Sequence, residues 1–100
     1  MDKTAETKTE SGGTATTAVA VKDFVFAPTV IKVKAGETVT WTNEDEFDHS
    51  VQIDSLELEG IKFGPMTMPA SFSHQFSKPG TYEYLCGVHN SMTGTVIVTS

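Results

Sequence analysis

One hundred residues, 38% hydrophobic and 20% charged, predict one ordinary globular domain with a single core. A net charge of −6 argues against nucleic acid, whose binding needs clustered lysine and arginine, and favours a basic or mixed protein partner. No apolar run approaches the ~18 residues that span a bilayer, and no signal peptide opens the chain, so we expect any export signal to be removed or never present.

Residues 1–17 form a polar leader without any aromatic residue, valine, leucine or isoleucine. Such a stretch buries too little apolar surface to offset the entropy lost on ordering. We therefore predict a flexible tail over residues 1–17, which is either a tether to a lost membrane anchor or an artificial remnant. The folded domain is predicted over residues 18–100.

From Ala18 onward the chain has the alternation of short β-strands. Val19 and Val21 alternate with small or charged residues at a period of two. Turn signals at residues 34–37 and 78–80 separate such segments, and no segment has a helical period. Six to eight strands with frequent turns predict an all-β fold, an antiparallel sandwich or barrel.

The middle of the chain is less regular. Residues 44–48 carry four carboxylates, which we interpret as a solvated loop or, alternatively, as an acidic rim that steers a basic partner. Residues 54–65 have a weak apolar pattern that fits either a short helix or an irregular strand.

The strongest chemical signal is the segment from Cys86 to Met92, which holds the sole cysteine in a C-x2-H-x2-M spacing with His89. A thiolate, an imidazole and a thioether suit a blue-copper site, in which a His2Cys plane has a weak axial methionine. Zinc is the rival, but it prefers cysteine and histidine without a thioether. One cysteine excludes an internal disulfide, and metal ligation would explain the unpaired thiol.

Such a site needs a second histidine, and two lie outside the loop. His49 follows the acidic run and begins a predicted strand over residues 49–53, at a strand end where loops gather. His74 lies in mid-strand between two phenylalanines, where a histidine is usually structural. We therefore favour His49 as the ligand and keep His74 as the weaker alternative.

Several of these residues together resemble a cupredoxin. The short gap between His89 and Met92 is similar to that of amicyanins, within the group that also holds plastocyanins and pseudoazurins. The resemblance covers residues 19–99 and is carried by these residues: Trp41-Thr42-Asn43, His49, Gly64-Pro65-Met66, Phe76 to Tyr84, Cys86, His89 and Met92.

The resemblance implies a Greek-key β-sandwich of about seven or eight strands that binds one type 1 copper ion. It implies His49, Cys86, His89 and Met92 as the ligands, and one-electron transfer between redox proteins as the activity. Asn43 and Ser50 would be hydrogen-bonding neighbours of the ligands, with Ser50 tying the two ligand-bearing loops together.

The exposed edge of His89 would carry the electron, framed by Phe47, Met66 and Val88. Amicyanins carry prolines and a phenylalanine around this histidine, whereas this loop has Val88, Asn90 and Ser91. We therefore expect a more polar docking patch, which argues against methylamine dehydrogenase, the partner of amicyanins, as the partner of this chain.

The alternative function is a copper-binding module for storage or delivery, and a third reading is a β-sandwich interaction domain. All coordination positions would be filled by protein, so we do not expect an enzyme, which needs an open position.

Met66 and Met68 are interpreted as loop-packing residues, with an entry point for Cu(I) as the alternative. We expect a monomer with transient redox partners in a periplasmic or other extracytoplasmic location, where the tail could serve as a membrane tether.

Overall fold

The computed structural model describes residues 13–58, 62–66 and 68–100. Eight β-strands lie in these residues, together with one 3-10 turn at Asp54–Leu56. The strands are β1 (Thr14–Ala15), β2 (Ala18–Lys22), β3 (Val25–Ala27), β4 (Val30–Lys34), β5 (Thr38–Asn43), β6 (Ser71–Gln75), β7 (Gly80–Leu85) and β8 (Thr93–Thr99). No helix in this described part is long and apolar enough to cross a bilayer.

The strands form two four-stranded sheets, ordered β1-β4-β8-β7 and β3-β2-β5-β6. This confirms the predicted β-sandwich. The sheets are mixed rather than purely antiparallel, because β1–β4, β4–β8 and β2–β5 pair in parallel. The other neighbours, β2–β3, β5–β6 and β7–β8, are antiparallel. A period of two in the sequence reports which face is buried and carries no information on strand direction.

The core lies between the sheets and is filled by alternate positions of the strands. Burying one such side chain fully stabilises the fold by roughly 1.5–3 kcal/mol. A shift by one residue would turn all the apolar side chains of a strand towards solvent and lose this energy, so the alternation fixes which face of each strand points inward. The buried strand residues and the phenylalanine just after β6 are Val19, Val21, Phe26, Ile31, Val33, Val39, Trp41, Phe76, Tyr84, Val96 and Val98.

Tyr84 anchors the end of β7 that leads into residues 86–92, which we call the cysteine loop. Its ring packs edge-on against Phe26 and Trp41, with centroid distances of 4.7 and 5.4 Å. Gly94 on β8 leaves the room for this ring, since a Cβ at that position would collide with the tyrosine Cζ and hydroxyl. Burial raises the pKa of Tyr84 to about 12. The packing of its ring positions the end of β7 two residues before Cys86.

The predicted tail is partly wrong. Residues 1–12 lie outside the described residues, but β1 pairs in parallel with β4, with Thr14 opposite Ile31. The carbonyl of Thr17 also accepts the Thr40 N–H at 2.8 Å. Backbone pairing of this kind needs no apolar side chain, which is why a composition argument placed the start of the fold too late.

The irregular middle begins with a short helical turn, which was one of the two predicted alternatives. The 3-10 turn at Asp54–Leu56 ends at Glu57, whose φ is 56°, and Ile53 then bridges to Leu58. Residues 59–61 lie outside the described part of the chain.

Candidate metal centre

His49 directly follows residues 44–48, which we call the acidic loop, and its backbone is held in place by hydrogen bonds. It forms an isolated antiparallel bridge with Phe63, in which each residue's N–H donates to the other's carbonyl at 3.1 and 2.8 Å. The strand predicted over residues 49–53 is therefore wrong, because only isolated bridges occur there. The His49 side chain is completely buried.

Cys86 follows directly after β7 and is also completely buried. Its Sγ accepts the backbone N–H groups of Ser50 and His89, both at 3.4 Å. Two amide donors aimed at one sulfur stabilise a thiolate and favour its use as a ligand. The same Sγ lies 3.7 Å from Nδ1 of His49.

The cysteine loop is closed on itself by two backbone hydrogen bonds. The Cys86 N–H donates to the Met92 carbonyl at 3.0 Å, and the Met92 N–H donates to the His89 carbonyl at 2.9 Å. Met92 is 2% exposed, whereas His89 is half-buried. The three donor types predicted from the C-x2-H-x2-M spacing are thus held in one compact turn, with the methionine inside and the histidine towards the surface.

Ser50 joins the cysteine loop to the His49 segment. It is 2% exposed, and its Oγ accepts the Gly87 N–H at 2.8 Å. The Ser50 N–H bonds to Cys86 Sγ in addition, so one residue binds the loop through both its backbone and its side chain.

Asp45 orients the His49 ring. Its Oδ2 lies 2.9 Å from Nε2 of His49, and the aspartate side chain is only 10% exposed. Partial burial raises the pKa of Asp45, but the hydrogen bonds from the Phe24 and Asp23 N–H groups and from His49 outweigh it, so the pKa lies below its ordinary value. An ionised carboxylate can only accept, so Nε2 donates to it and the lone pair of Nδ1 faces Cys86 Sγ at 3.7 Å.

Asn43 shapes the acidic loop beneath this contact. Its Nδ2 donates to the carbonyls of Phe47 at 2.8 Å and Phe63 at 3.0 Å, and its Oδ1 accepts the Asp45 N–H at 2.8 Å. Asn43 is 7% exposed. It therefore acts on His49 indirectly, by fixing both Asp45 and the backbone partner of the histidine.

Phe24 is a site residue that the sequence did not indicate. It lies in the two-residue turn between β2 and β3, where Asp23 and Phe24 have φ values of 54° and 61°, the conformation typical of a type I′ hairpin. Its ring stands edge-on to His89 at 4.9 Å and to His49 at 5.4 Å. The sequence did not indicate this turn, because Phe24 and Phe26 alternate in the manner of a strand, and no local pattern shows that it folds over both histidines.

His74 is not brought to this site by any described contact. It lies in β6 opposite Val39 and packs edge-on against Phe76 at 4.8 Å. Burial lowers its pKa. These features agree with the structural role that the sequence favoured for it.

The three residues that frame the predicted electron path are exposed, and so is Met68. Phe47 is 54% exposed, Val88 43%, Met66 76% and Met68 64%. The expectation that Met66 and Met68 pack within their loop is therefore wrong. The Met66 N–H donates to Oδ1 of Asp48 at 3.0 Å, which fixes the backbone of this loop.

The donor atoms can be tested against a metal. An ion bound to a sulfur at about 2.3 Å and to an imidazole nitrogen at about 2.0 Å fits between two atoms 3.7 Å apart, and the free lone pair of Nδ1 faces that space. Within the described residues, no three His, Cys, Asp or Glu side chains already stand at the mutual spacing of a metal cage. The pair of Cys86 and His49 thus fits a metal, and the full four-ligand set stays a prediction.

Comparison with known proteins defines the class. A family profile described as a cupredoxin-like domain matches residues 3–98, and the chain belongs to this family. Amicyanin-alpha of Methylorubrum extorquens is 37% identical over 84 residues, which cover 82% of this chain and 71% of the relative. Plastocyanin of Scenedesmus fuscus is 37% identical over 85 residues, covering 75% of this chain and 87% of the relative.

Solved structures of amicyanin are similar to this structure over most of the chain. The Cu(I) form of one amicyanin mutant superposes with a TM-score of 0.69 at 32% identity, covering 81% of this chain and 79% of the other. A reduced amicyanin with a tryptophan-to-tyrosine change also gives 0.69, at 30% identity and over 90% and 85% of the two chains. The sandwich described above is therefore that of amicyanin.

Proposed function

We propose that the protein is a mononuclear type 1 copper protein that carries single electrons between redox proteins while its copper cycles between Cu(I) and Cu(II). The observation that supports this most directly is the buried Cys86 sulfur, which receives two amide N–H groups and lies 3.7 Å from His49 Nδ1. The amicyanin and plastocyanin relatives support the same function.

His49, Cys86, His89 and Met92 would hold the copper, which supplies a one-electron couple when bound. The thiolate of Cys86 and the imidazoles of His49 and His89 would be the strong donors, and the soft thioether of Met92 would favour the reduced state and raise the potential. Asp45 fixes the tautomer of His49, and Ser50 holds the two ligand-bearing segments together. Ligands fixed in this way would need little rearrangement when bound copper changes its oxidation state, which favours fast electron transfer.

The electron would leave through the edge of His89, framed by Phe47, Met66 and Val88. The exposure of these three neighbours supports the route. A Val88→Glu variant should keep the copper colour and show slower electron self-exchange at low salt, since two copies that are already acidic would bring a further pair of like charges together. An unchanged self-exchange rate in that variant would count against the route.

The relatives are electron carriers, and a protein-filled coordination sphere leaves no open position for substrate. We therefore propose a carrier rather than an enzyme, a monomer that meets its donor and acceptor transiently. An extracytoplasmic, for instance periplasmic, location suits this group of relatives. A membrane tether through the residues that precede β1 is also part of the proposal.

A second candidate function is copper storage or delivery. The exposure of Met66 and Met68, 76% and 64%, favours it, because accessible thioethers bind Cu(I). Cyclic voltammetry and chelator competition on the copper-loaded protein separate the two functions. A carrier gives one reversible couple and releases Cu(I) slowly to bicinchoninate, whereas irreversible voltammetry with rapid loss to the chelator would overturn the carrier proposal.

A further inference from the structure

Strand β4 depends on β1 for the cover of one of its two sides. In the sheet order β1-β4-β8-β7, β1 forms the edge and has two residues only, whereas β4 beside it has five. Val30, Ile31 and Val33 of β4 are β-branched residues, which suit a paired strand. Without β1, this strand would be an open sheet edge of the kind that pairs with another chain.

The backbone groups of β4 alternate between its two neighbours. The Thr95 N–H donates to the Thr29 carbonyl at 2.9 Å, just before β4 begins. The Ala35 N–H donates to the Thr99 carbonyl at 2.7 Å, just after β4 ends. Because successive residues of a strand direct their N–H and C=O groups to opposite sides, the odd-numbered residues of β4 bond to β8. The even-numbered residues are directed away from β8 and need another partner: Val30, Lys32 and Lys34.

The last of these residues is closed by the turn that follows β4. The Lys34 N–H donates to Oε1 of Glu37 at 2.7 Å, and the Glu37 N–H donates to the Lys34 carbonyl at 3.0 Å. Both backbone groups of Lys34 are therefore used within the chain. The part of β4 that precedes Lys34 depends on β1 instead.

Residues 13–15, which we call the guard strand, cover this part of β4 by their backbone alone. Parallel pairing sets Thr14 opposite Ile31, so its peptide groups reach those of the β4 residues on either side. Both residues of β1 are exposed and add no side chain to the core. At Gly13 a Cβ would lie 2.8 Å from the Ile31 carbonyl carbon and 2.9 Å from that of Val30, so only glycine can approach β4 so closely.

The chain that follows the guard strand is anchored separately. The Thr17 carbonyl accepts the Thr40 N–H of the other sheet at 2.8 Å. Between this anchor and the end of β4 lies a cavity of about 360 Å³, whose lining includes Lys34 and Thr99. The guard strand is therefore held to β4 by its own pairing, and its displacement would expose β4 while the two sheets stay together.

Lys32 is a second barrier at the same edge. Its side chain is exposed on the outer face of the sheet. Two open β4 edges can pair in antiparallel register about a two-fold axis, since each presents the same groups to the other. In the register that centres on Lys32, the two lysine side chains would stand directly opposite each other, and like charges in that position oppose pairing.

We propose that the guard strand and Lys32 together keep the β4 edge closed to the β4 edge of a second copy, and thereby keep the protein monomeric. A second copy is the occupant that this edge would take, because the antiparallel pairing of two identical edges satisfies both at once. The inference rests on the proposed function in one respect, the monomeric state, and explains how the fold maintains it. It does not involve copper.

Sedimentation equilibrium of the full-length, metal-free protein is the first test. Gly13→Val displaces the guard strand, and Lys32→Thr removes the charge while keeping a residue suited to a strand. We expect the parent protein and Lys32→Thr to be monomeric at about 1 mM, and Gly13→Val/Lys32→Thr to dimerise about fivefold more tightly than Gly13→Val. Thr14→Val is the matched control, because it adds the same side chain one residue further on, at an exposed position, and should stay monomeric.

A double variant that stays monomeric would overturn the proposal, and so would a Thr14→Val variant that dimerises equally. Dispersed amide signals in NMR spectra show that each variant is folded. If Gly13→Val is unfolded, Thr14→Pro takes its place, since it removes an N–H of the guard strand instead of adding a side chain.

Hydrogen exchange of two neighbouring amides is the second test, made at a concentration where all variants are monomeric. The Lys32 N–H faces the guard strand, and we expect it to exchange at least about tenfold faster in Gly13→Val than in the parent protein. The Val33 N–H faces β8 and should exchange at the same rate in both. Equal acceleration of the two amides would show general loosening and contradict a local cover.

Neither test uses copper, so the inference and the proposed function can fail separately. A chain that takes up no copper but gives these results would contradict the proposed electron carrier and leave the guard strand standing. A chain that turns blue with copper but whose double variant stays monomeric would do the reverse.

Discussion

Asp45 and His49 form a hydrogen bond of 2.9 Å between Oδ2 and Nε2, on the side of the imidazole opposite Cys86. The same carboxylate binds the backbone N–H groups of Asp23 and Phe24. One side chain therefore sets the tautomer of a predicted copper ligand and also fixes the turn that covers it.

Replacing Asp45 with asparagine should weaken copper binding and raise the reduction potential. An amide holds the imidazole less firmly than a carboxylate, and removal of a negative charge near the metal disfavours Cu(II). Hydrogen-bond partners of metal-bound histidines typically contribute 10–100-fold in affinity, so we expect a Cu(II) affinity about tenfold lower by competition with a chelator. Glu46→Gln is the matched control, because it removes a neighbouring charge that does not contact His49; equal shifts in both variants would show that only net charge matters.

Ser50→Ala should destabilise the protein by about 1–3 kcal/mol, because the Gly87 N–H loses its hydroxyl acceptor in a site that is 2% exposed. Urea unfolding of the copper-free protein measures this without any contribution from the metal. Ser73→Ala is the comparison, since its hydroxyl bonds to Thr40 at an exposed position and should change the stability by less than about 0.5 kcal/mol. Similar losses in the two variants would argue against Ser50 as a link between the loops.

Met92→Gln should preserve the blue colour and lower the reduction potential. An amide oxygen is a harder donor than a thioether, so it favours Cu(II), whereas the colour depends on the thiolate. Voltammetry and absorption spectra of the same samples measure both effects. Met66→Gln changes an exposed methionine in the same way and should leave the potential unchanged; a Met92→Gln potential equal to that of the unmodified protein would remove Met92 from the ligand set.

His74 should make stability depend on pH. Burial lowers its pKa from the ordinary value of 6.5, so between the two pKa values the unfolded chain binds more protons than the folded one, and stability falls as pH falls through about 6.5. In His74→Gln the free energy of unfolding should lack this pH-dependent contribution. If the glutamine packs less well than the histidine, the free energies of unfolding of the two proteins should become more similar as the pH falls. Parallel pH profiles of unfolding for the two proteins would contradict the prediction.

Much of the fold could be predicted from the sequence, because valine or isoleucine at every second residue marks the inward positions of β2, β4 and β8. The order and direction of the strands could not be read from the sequence, because the parallel pairing of β2 with β5 joins two segments that are separated by β3 and β4. β1 was missed for a related reason. Its residues are polar and exposed, and only their backbone pairing with β4 places them in the sheet.

The candidate site was predictable to a similar extent. The C-x2-H-x2-M spacing confined three donor types to one turn, and His49 was the better of two remaining histidines because it lies next to a loop. Asp45 was visible only as one of the four carboxylates in residues 44–48, since its contact with the imidazole depends on how Asn43 folds that loop. Phe24 reaches the histidines through tertiary packing of a distant turn, which no local pattern reports.

The most direct test of the central claim is a titration of the metal-free protein with Cu(II), followed by its absorption spectrum. The claim predicts an intense blue thiolate-to-copper charge-transfer band that saturates at one equivalent and is abolished in Cys86→Ser. Binding without colour, colour that persists in Cys86→Ser, or saturation at more than one equivalent would contradict a single type 1 copper centre.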